Sequence, residues 1–210
     1  MDFKSGFSIG LIATDGCLSK DGLLIDLTSK DREQLENFSK CVGVNFNIGN
    51  KWNSNGDKHL RIQFKNRIFY DFLLSIGLTP RKSLTMGELA IPDKYFFDFL
   101  RGCFDGDGCF YSYWDKRWRS SHMFYLEFIS ASKKHVDWIR GKLNEEINVL
   151  GHIVQDGNKI TYQLKYAKKE ALEIIRKMYY NKKVVCLSRK KLKIEKALKI
   201  EEKQQKKYLN

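Results

Sequence analysis

Hydrophobic and polar positions along this chain switch period repeatedly, and they do so in the same order twice. The apolar run FSIGLIATDG, Phe7 to Gly16, predicts a helix that ends in Asp-Gly. CLSKDGLLIDLTS places extended runs on either side of Lys20-Asp21-Gly22, the pattern of a hairpin. SKDREQLENFSKCVG then sets Leu35, Phe38 and Val42 on one helical face. VNFNIGNKW and KHLRIQFK read as two more strands around the polar turn Asn53-Ser54-Asn55-Gly56-Asp57, and NRIFYDFLLSIG as a helix closing at Gly77.

The second half repeats this order. At a constant offset, Phe7 falls on Phe99, Gly10 on Gly102, Asp15 on Asp107, Gly16 on Gly108 and Cys17 on Cys109. Strands CFYSYWDKRWRS and HMFYLEFISAS follow the helix YFFDFLRGCFDGDG. The helix KKHVDWIRGKLNEEI spaces Val136, Ile139 and Leu143 as Leu35, Phe38 and Val42 are spaced. GHIVQ, KITYQLKYA and the helix KEALEIIRKMYY complete the unit. Even the exits match, LTPRKSL against CLSRKKL. The expectation is an α+β protein of two pseudo-symmetric αββαββα halves, residues 1–88 and 89–186, with a basic helical tail over 187–210. The tail carries i,i+4 pairs such as Glu195–Lys199 and Glu202–Lys206, read as a solvated helix.

Composition narrows the function. The formal net charge is +13 over 210 residues, which suggests a polyanion partner. No apolar run reaches the ~20 residues of a membrane span, and MDFKSG lacks a signal-peptide profile. The five cysteines are odd in number and include no CxxC pair, which argues against a disulfide framework or a zinc site. They fit a reducing intracellular setting: a bacterial or phage-infected cytoplasm, or an organelle.

The helix ends pose a chemical question. Gly10 and Thr14, and Gly102 and Gly106, form small patches four residues apart, which let two helices approach backbone to backbone. Side by side, such helices bring Asp15 and Asp107 together at their negative ends, beside free carbonyls and a like charge. Stability does not favour that placement, and a hard divalent cation resolves it. Gly16 and Gly108 stand where a left-handed C-cap demands glycine. An EF-hand starting at Asp105 is excluded, because it needs Gly and Glu where Phe110 and Lys116 stand.

A helix with Gly, an apolar pair and Asp-Gly, present twice, resembles the LAGLIDADG homing endonucleases in their single-chain, two-motif form. SIGLIATDG (Ser8 to Gly16) and LRGCFDGDG (Leu100 to Gly108) carry the resemblance, which extends over essentially the whole chain. It implies saddle-shaped antiparallel sheets meeting at a two-helix interface. It also implies a monomer that makes staggered double-strand breaks with short 3′ overhangs at a long recognition site. Asp15 and Asp107 are then the metal-binding acids, helped by the carbonyls of Thr14 and Gly106. Mg²⁺ is the implied cofactor, with Ca²⁺ a substitute that supports binding rather than cutting. A lysine from each exit, Lys82 and Lys190, is implied beside the metals; Ser29 and Ser130 are weaker candidates for positioning water. Ala13 departs from the motif where Asp105 keeps an earlier acid, read as structural.

Recognition is expected from strands laid in the DNA major groove. Candidates are Lys51, Asn53, Lys58, Arg61, Gln63 and Lys65 in the first half, with Arg61, Gln63 and Lys65 on one face. In the second they are Tyr113, Lys116, Arg117, Arg119, Gln163 and Lys165. Trp114 and Trp118 either stack on bases or pack in the core. Double-stranded DNA is the expected partner, with intron RNA a further one. Two alternatives stay open on the same fold: an RNA-binding intron maturase and a DNA-binding regulator that does not cut.

Overall fold

Helix α1 (Ser5–Asp15) is apolar because it runs through the interior. Phe7, Ile9, Leu11, Ile12 and Ala13 are all buried. The computed structural model describes residues 5–118, 121–155, 157 and 160–208. Helix α4 (Asp93–Asp107) lies directly against α1 and parallel to it. The contact is a glycine seam. A Cβ on Gly10 would stand 2.2 Å from the Phe99 carbonyl oxygen, and one on Gly102 would stand 2.1 Å from that of Phe7. Gly6 extends the row toward Tyr95 and Asp98, and Thr14 closes it against Gly106. Small side chains one helical turn apart thus set the backbones in direct contact.

Around this seam the two halves unfold in matched order. The first runs α1, β1 (Gly16–Leu18), β2 (Leu24–Ser29), α2 (Arg32–Val42), β3 (Gly49–Trp52), β4 (Lys58–Lys65) and α3 (Arg67–Ser75). The second runs α4, β5 (Cys109–Trp114), β6 (His122–Ser130), α5 (Lys133–Ile147), β7 (His152–Gln155), β8 (Tyr162–Ala167) and α6 (Lys168–Met178). Each half forms one four-stranded antiparallel sheet, ordered β1-β2-β4-β3 and β5-β6-β8-β7. Registers match as well: Cys17 lies opposite Asp26, as Cys109 lies opposite Glu127. The period of two gives each sheet one core face, with Ile25, Leu27 and Ile62 in the first and Leu126, Phe128 and Leu164 in the second.

The exits cross between halves. Beyond α6 the chain returns to the first half, where Arg189 forks onto Asp31 at 2.9 and 2.7 Å and Ser188 binds Glu33. Beyond α3 it reaches the second half, where the Ser132 hydroxyl donates to the Met86 carbonyl at 2.5 Å.

Three expectations change. The strand read from Val44 begins only at Gly49, where pairing with Arg61 starts; the segment before it is pinned by Phe46, whose ring lies 4.4 Å from that of Phe64. The tail helix α7 (Ser188–Tyr208) is not simply solvated: it buries Ile194 and Ala197 and ties Lys168 to Glu201. Finally, neither motif glycine is a left-handed cap. Gly108 has φ −71° and ψ 157°, and Gly16 is not among the positive-φ glycines. Both are required for space: a Cβ would stand 2.6 Å from the Cα of Ile12 or of Phe104 respectively.

Gly102→Ala is expected to lower stability by at least about 2 kcal/mol, or roughly 5 °C in melting temperature, because the seam must part. Gly141, in α5 with nothing within 4 Å of where a methyl would stand, is the control. Gly141→Ala should raise stability by about 1 kcal/mol through helix propensity. Thermal denaturation of both variants checks the contrast.

Candidate active site and nucleic-acid interface

Parallel packing of α1 and α4 brings both motif acids to one end of the seam. The Asp15 carboxylate reaches the Gly106 backbone, with Oδ2 3.1 Å from the position a Cβ would take there. Its Oδ2 also accepts from the Gln34 amide at 2.5 Å. Burial, and then the neighbouring Asp107 charge, push the Asp15 carboxyl up to about 6. Asp107 is more open and takes no side-chain hydrogen bond among the described residues. Burial raises its carboxyl too, against the pull of Lys190 and Lys82.

Lys82 and Lys190 are both buried, beneath this acid pair. Arg81 takes a left-handed backbone, φ 58° and ψ 31°, and the reversal turns Lys82 inward, where Nζ donates to the Gly16 carbonyl. Lys190 Nζ donates to the carbonyls of Phe104 at 2.6 Å, Gly106 at 3.0 Å and Gly108 at 2.7 Å. Each ammonium thus rests on carbonyls at the negative end of a motif helix, where the Phe104 carbonyl also accepts from the Gly108 amide at 3.0 Å. Burial depresses both lysines, Lys190 to about 8, while the surrounding acids hold their protons on.

Asp105 acts on Lys190 from within the core rather than joining the two motif acids. It is fully buried, burial raises its carboxyl to about 7, and Oδ2 accepts from the Leu187 amide at 2.6 Å. It fastens α4 to the start of α7. Ala13, its counterpart, makes no such link.

Two carboxylates and neutral carbonyls form a donor set suited to a hard divalent cation. Among the described residues no three His, Cys, Asp or Glu side chains gather. An ion held by the two acids would need main-chain or side-chain amide and hydroxyl oxygens, water or a phosphate to complete its shell. The Thr14 hydroxyl is engaged with the carbonyls of Gly10 and Leu11, so Thr14 could offer only its own carbonyl. The Gly106 carbonyl is shared with Lys190.

The open face of the first sheet gathers Lys51, Arg61, Gln63 and Lys65. At its centre sits Asp26, which sequence reading missed: it lies 3.2 Å from Lys51 Nζ, 3.7 Å from Arg61 and 3.3 Å from Gln63. Lys58 has the opposite parity and lies at the sheet's end. The Asn53 side chain is engaged with Asp57 and the turn amides. In the second sheet Gln163 and Lys165 share the open face with Tyr113, and Lys165 pairs with Glu127 at 3.0 Å. Lys116 and Arg117 are exposed in the β5–β6 turn, where Arg117 reaches Asp115 at 3.5 Å. Arg119 lies outside the described residues. Trp114 and Trp118 are 48% and 70% exposed, so neither is a core residue.

Gln34 was also missed. It sits one position before Leu35 on α2, buried, and its Oε1 accepts from the Ser29 hydroxyl at 3.2 Å. A polar residue beside a core stripe was the available signal. The matching place before Val136 holds His135, which instead meets the Gly87 carbonyl at 2.9 Å. Ser130 accepts from the Ser132 amide at 3.1 Å, at the corner into α5.

Solved LAGLIDADG proteins share this architecture. The LAGLIDADG meganuclease I-AabMI bound to uncleaved DNA matches with a TM-score of 0.64 at 15% identity, covering 96% of this chain and 91% of its own. The homing endonuclease I-DmoI in complex with DNA and Mn matches with a TM-score of 0.55 at 15% identity, covering 85% of this chain and 97% of its own. The N-terminal LAGLIDADG domain of DUF199/WhiA matches with a TM-score of 0.55 at 17% identity, covering 86% and 84%. No protein-family model matches the chain, and no curated protein matches its sequence. At these identities the likeness establishes the fold: the two-sheet LAGLIDADG architecture, found in DNA-bound nucleases and in DUF199/WhiA alike.

The raised acids make a signed prediction. A carboxyl whose folded pKa is raised destabilises the protein above its unfolded value, and relief comes as pH falls through the folded one. Without metal, Asp15 should therefore lower stability as pH rises from about 4 through about 6. Asp15→Asn keeps an acceptor for Gln34 and should be more stable than the parent at pH 7.5 by roughly 2 kcal/mol, with the gap closing toward pH 4. Millimolar Mg²⁺ should raise the parent's melting temperature more than the variant's. Melting curves across this pH range, with and without the ion, read both effects.

Proposed function

We propose that this chain is a site-specific double-strand DNA endonuclease, a homing endonuclease that hydrolyses phosphodiester bonds and leaves short 3′ overhangs. One observation carries the reading: acids from two separate halves meet at the end of a shared helix pair, above two buried lysines. A structural helix terminus has no use for that arrangement, whereas a scissile phosphate has. Asp15 and Asp107, with the Thr14 and Gly106 carbonyls, would hold the divalent cation, Mg²⁺ in our reading. When bound, it supplies Lewis acidity and a water of lowered pKa. Lys82 and Lys190 contribute fixed positive charge beside the negative charge that develops on the phosphate. Gln34 holds Asp15 in one orientation.

Both open sheet faces would lie in the major groove, Arg61 and Gln63 reading base edges and the lysines contacting phosphates. The net charge of +13 supports duplex DNA as partner. Such an enzyme works as a monomer with internal pseudo-twofold symmetry, inside the cell that carries its target. The likeness to the DUF199/WhiA domain keeps a second reading in play, a DNA-binding protein that does not cut.

Incubation with a duplex library and Mg²⁺ should yield linear products with 3′ overhangs, and chelation should abolish them. Asp15→Asn and Asp107→Asn are each expected to reduce cutting by at least a hundredfold, with DNA affinity retained in Ca²⁺. Lys82→Met and Lys190→Met should slow cutting by about a hundredfold, the scale for a lost electrostatic stabiliser. Tight duplex binding without cutting at any metal concentration establishes the regulator reading instead. Preference for intron RNA over every duplex would support a maturase.

A further inference from the structure

The backbones of the two sheets match, but the chemistry of their open faces does not. The first face presents Lys51, Arg61 and Lys65 against the single acid Asp26. On the second, Lys165 and Glu127 are the only charged residues among those described, and they pair with each other at 3.0 Å. Gln163 and His152 add polar side chains, and the strip across β5 and β6 is aromatic. Tyr111, Tyr113 and Tyr125 form a strip across β5 and β6, with ring centroids 5.5 to 6.5 Å apart and planes within 5° to 18° of parallel. Tyr111 and Tyr113 are 38% and 44% exposed, and Met123, Ile129 and Val154 share the face.

Core packing does not explain the strip, because the core lies on the sheet's other side, around Phe110, Phe124 and Leu126. Its geometry selects a ligand. The near-parallel rings stand too close together for an unpaired base to slot between them, and two hydroxyls are engaged, Tyr111 with Glu127 and Tyr113 with Tyr125, so ring edges remain for contact. No arginine lies on this face among the described residues and Lys165 is tied to Glu127, so it offers guanine no free cationic fork; Gln163 is its one amide. In the major groove the one apolar group on a base edge is the thymine C5-methyl.

We propose that the second sheet is a thymine reader: its tyrosine strip packs on thymine methyls, so one half of the target site is rich in A·T pairs. The first sheet, with Arg61 and Gln63, selects guanine and adenine edges in the other half. This inference rests on the DNA-binding reading above and adds a substrate preference to it.

The test reads binding rather than cutting. The full chain selects from a randomised duplex library in Ca²⁺, and the selected site is then remade with uracil in place of thymine in one half at a time. Uracil pairs identically and lacks only the methyl. Wild-type affinity should fall roughly fourfold per buried methyl lost when the A·T-rich half is substituted, and little when the other half is. Tyr113→Ala should bind thymine and uracil forms equally and relax preference only in that half. Arg61→Ala should relax the other half and keep the uracil effect. A selected site with no A·T-rich half, or affinity unmoved by uracil, overturns the thymine reader while leaving the endonuclease reading intact. Selection of no duplex, or stronger binding to single-stranded RNA, overturns both.

Discussion

Contact between two helix backbones at Gly10 and Gly102 is the constraint on which the remaining structure depends. With main-chain atoms of one helix lying where a Cβ of the other would stand, the helices have one relative position, and a residue with any side chain would change it. Gly6, Gly10 and Thr14 meet Asp98, Gly102 and Gly106 in the same order along both helices, so the packing is parallel. Parallel packing puts both C-terminal ends together, and there both halves present an acid. The site is a consequence of the seam rather than a separate construction.

Electrostatics at that end are opposed by the course of the exits. Two carboxylates at two negative helix termini repel each other and the carbonyls around them. The exits deliver Lys82 and Lys190 from below, and each ammonium is held by carbonyls at or just past a motif-helix end, with no direct salt bridge to Asp15 or Asp107 among the described residues. A direct ion pair would have quenched the charge that a divalent ion needs.

The repeat made most of the fold legible: periodicity, turn residues and matched exits give both αββαββα orders, and the registers follow. What the sequence hid was spatial. Gly16 and Gly108 carry the signature of left-handed caps, yet their role is clearance above Ile12 and Phe104, which only the three-dimensional turn reveals. Lys82 and Lys190 stand out by their paired positions, but their burial depends on how the exits cross. Gln34 and Asp26 went unnoticed because a polar residue within an amphipathic helix or an alternating strand normally faces water. Here one reaches a carboxylate and the other gathers the cations of its sheet. The tail's buried apolar residues among those described, Leu187, Ile194 and Ala197, are too few among its charges to mark a packed face.

Symmetry of backbone and asymmetry of chemistry have one physical origin. Close approach demands small residues at a few seam positions and apolar residues on the core faces, and it constrains little else. Thus Ala13 stands opposite Asp105, Gln34 opposite His135, and one carbonyl contact at Lys82 opposite three at Lys190. Asp15 is held by an amide while Asp107 stays without one, so the two acids enter any shared chemistry from unequal starting points. The same freedom lets one sheet present cations and the other tyrosines. A homodimer of the first half would carry its basic face twice and could select only a palindrome. Fusing two halves in one chain, with the seam unchanged, permits each sheet and each acid its own environment, and on the DNA-binding reading proposed above an asymmetric duplex is the ligand that such a molecule would fit.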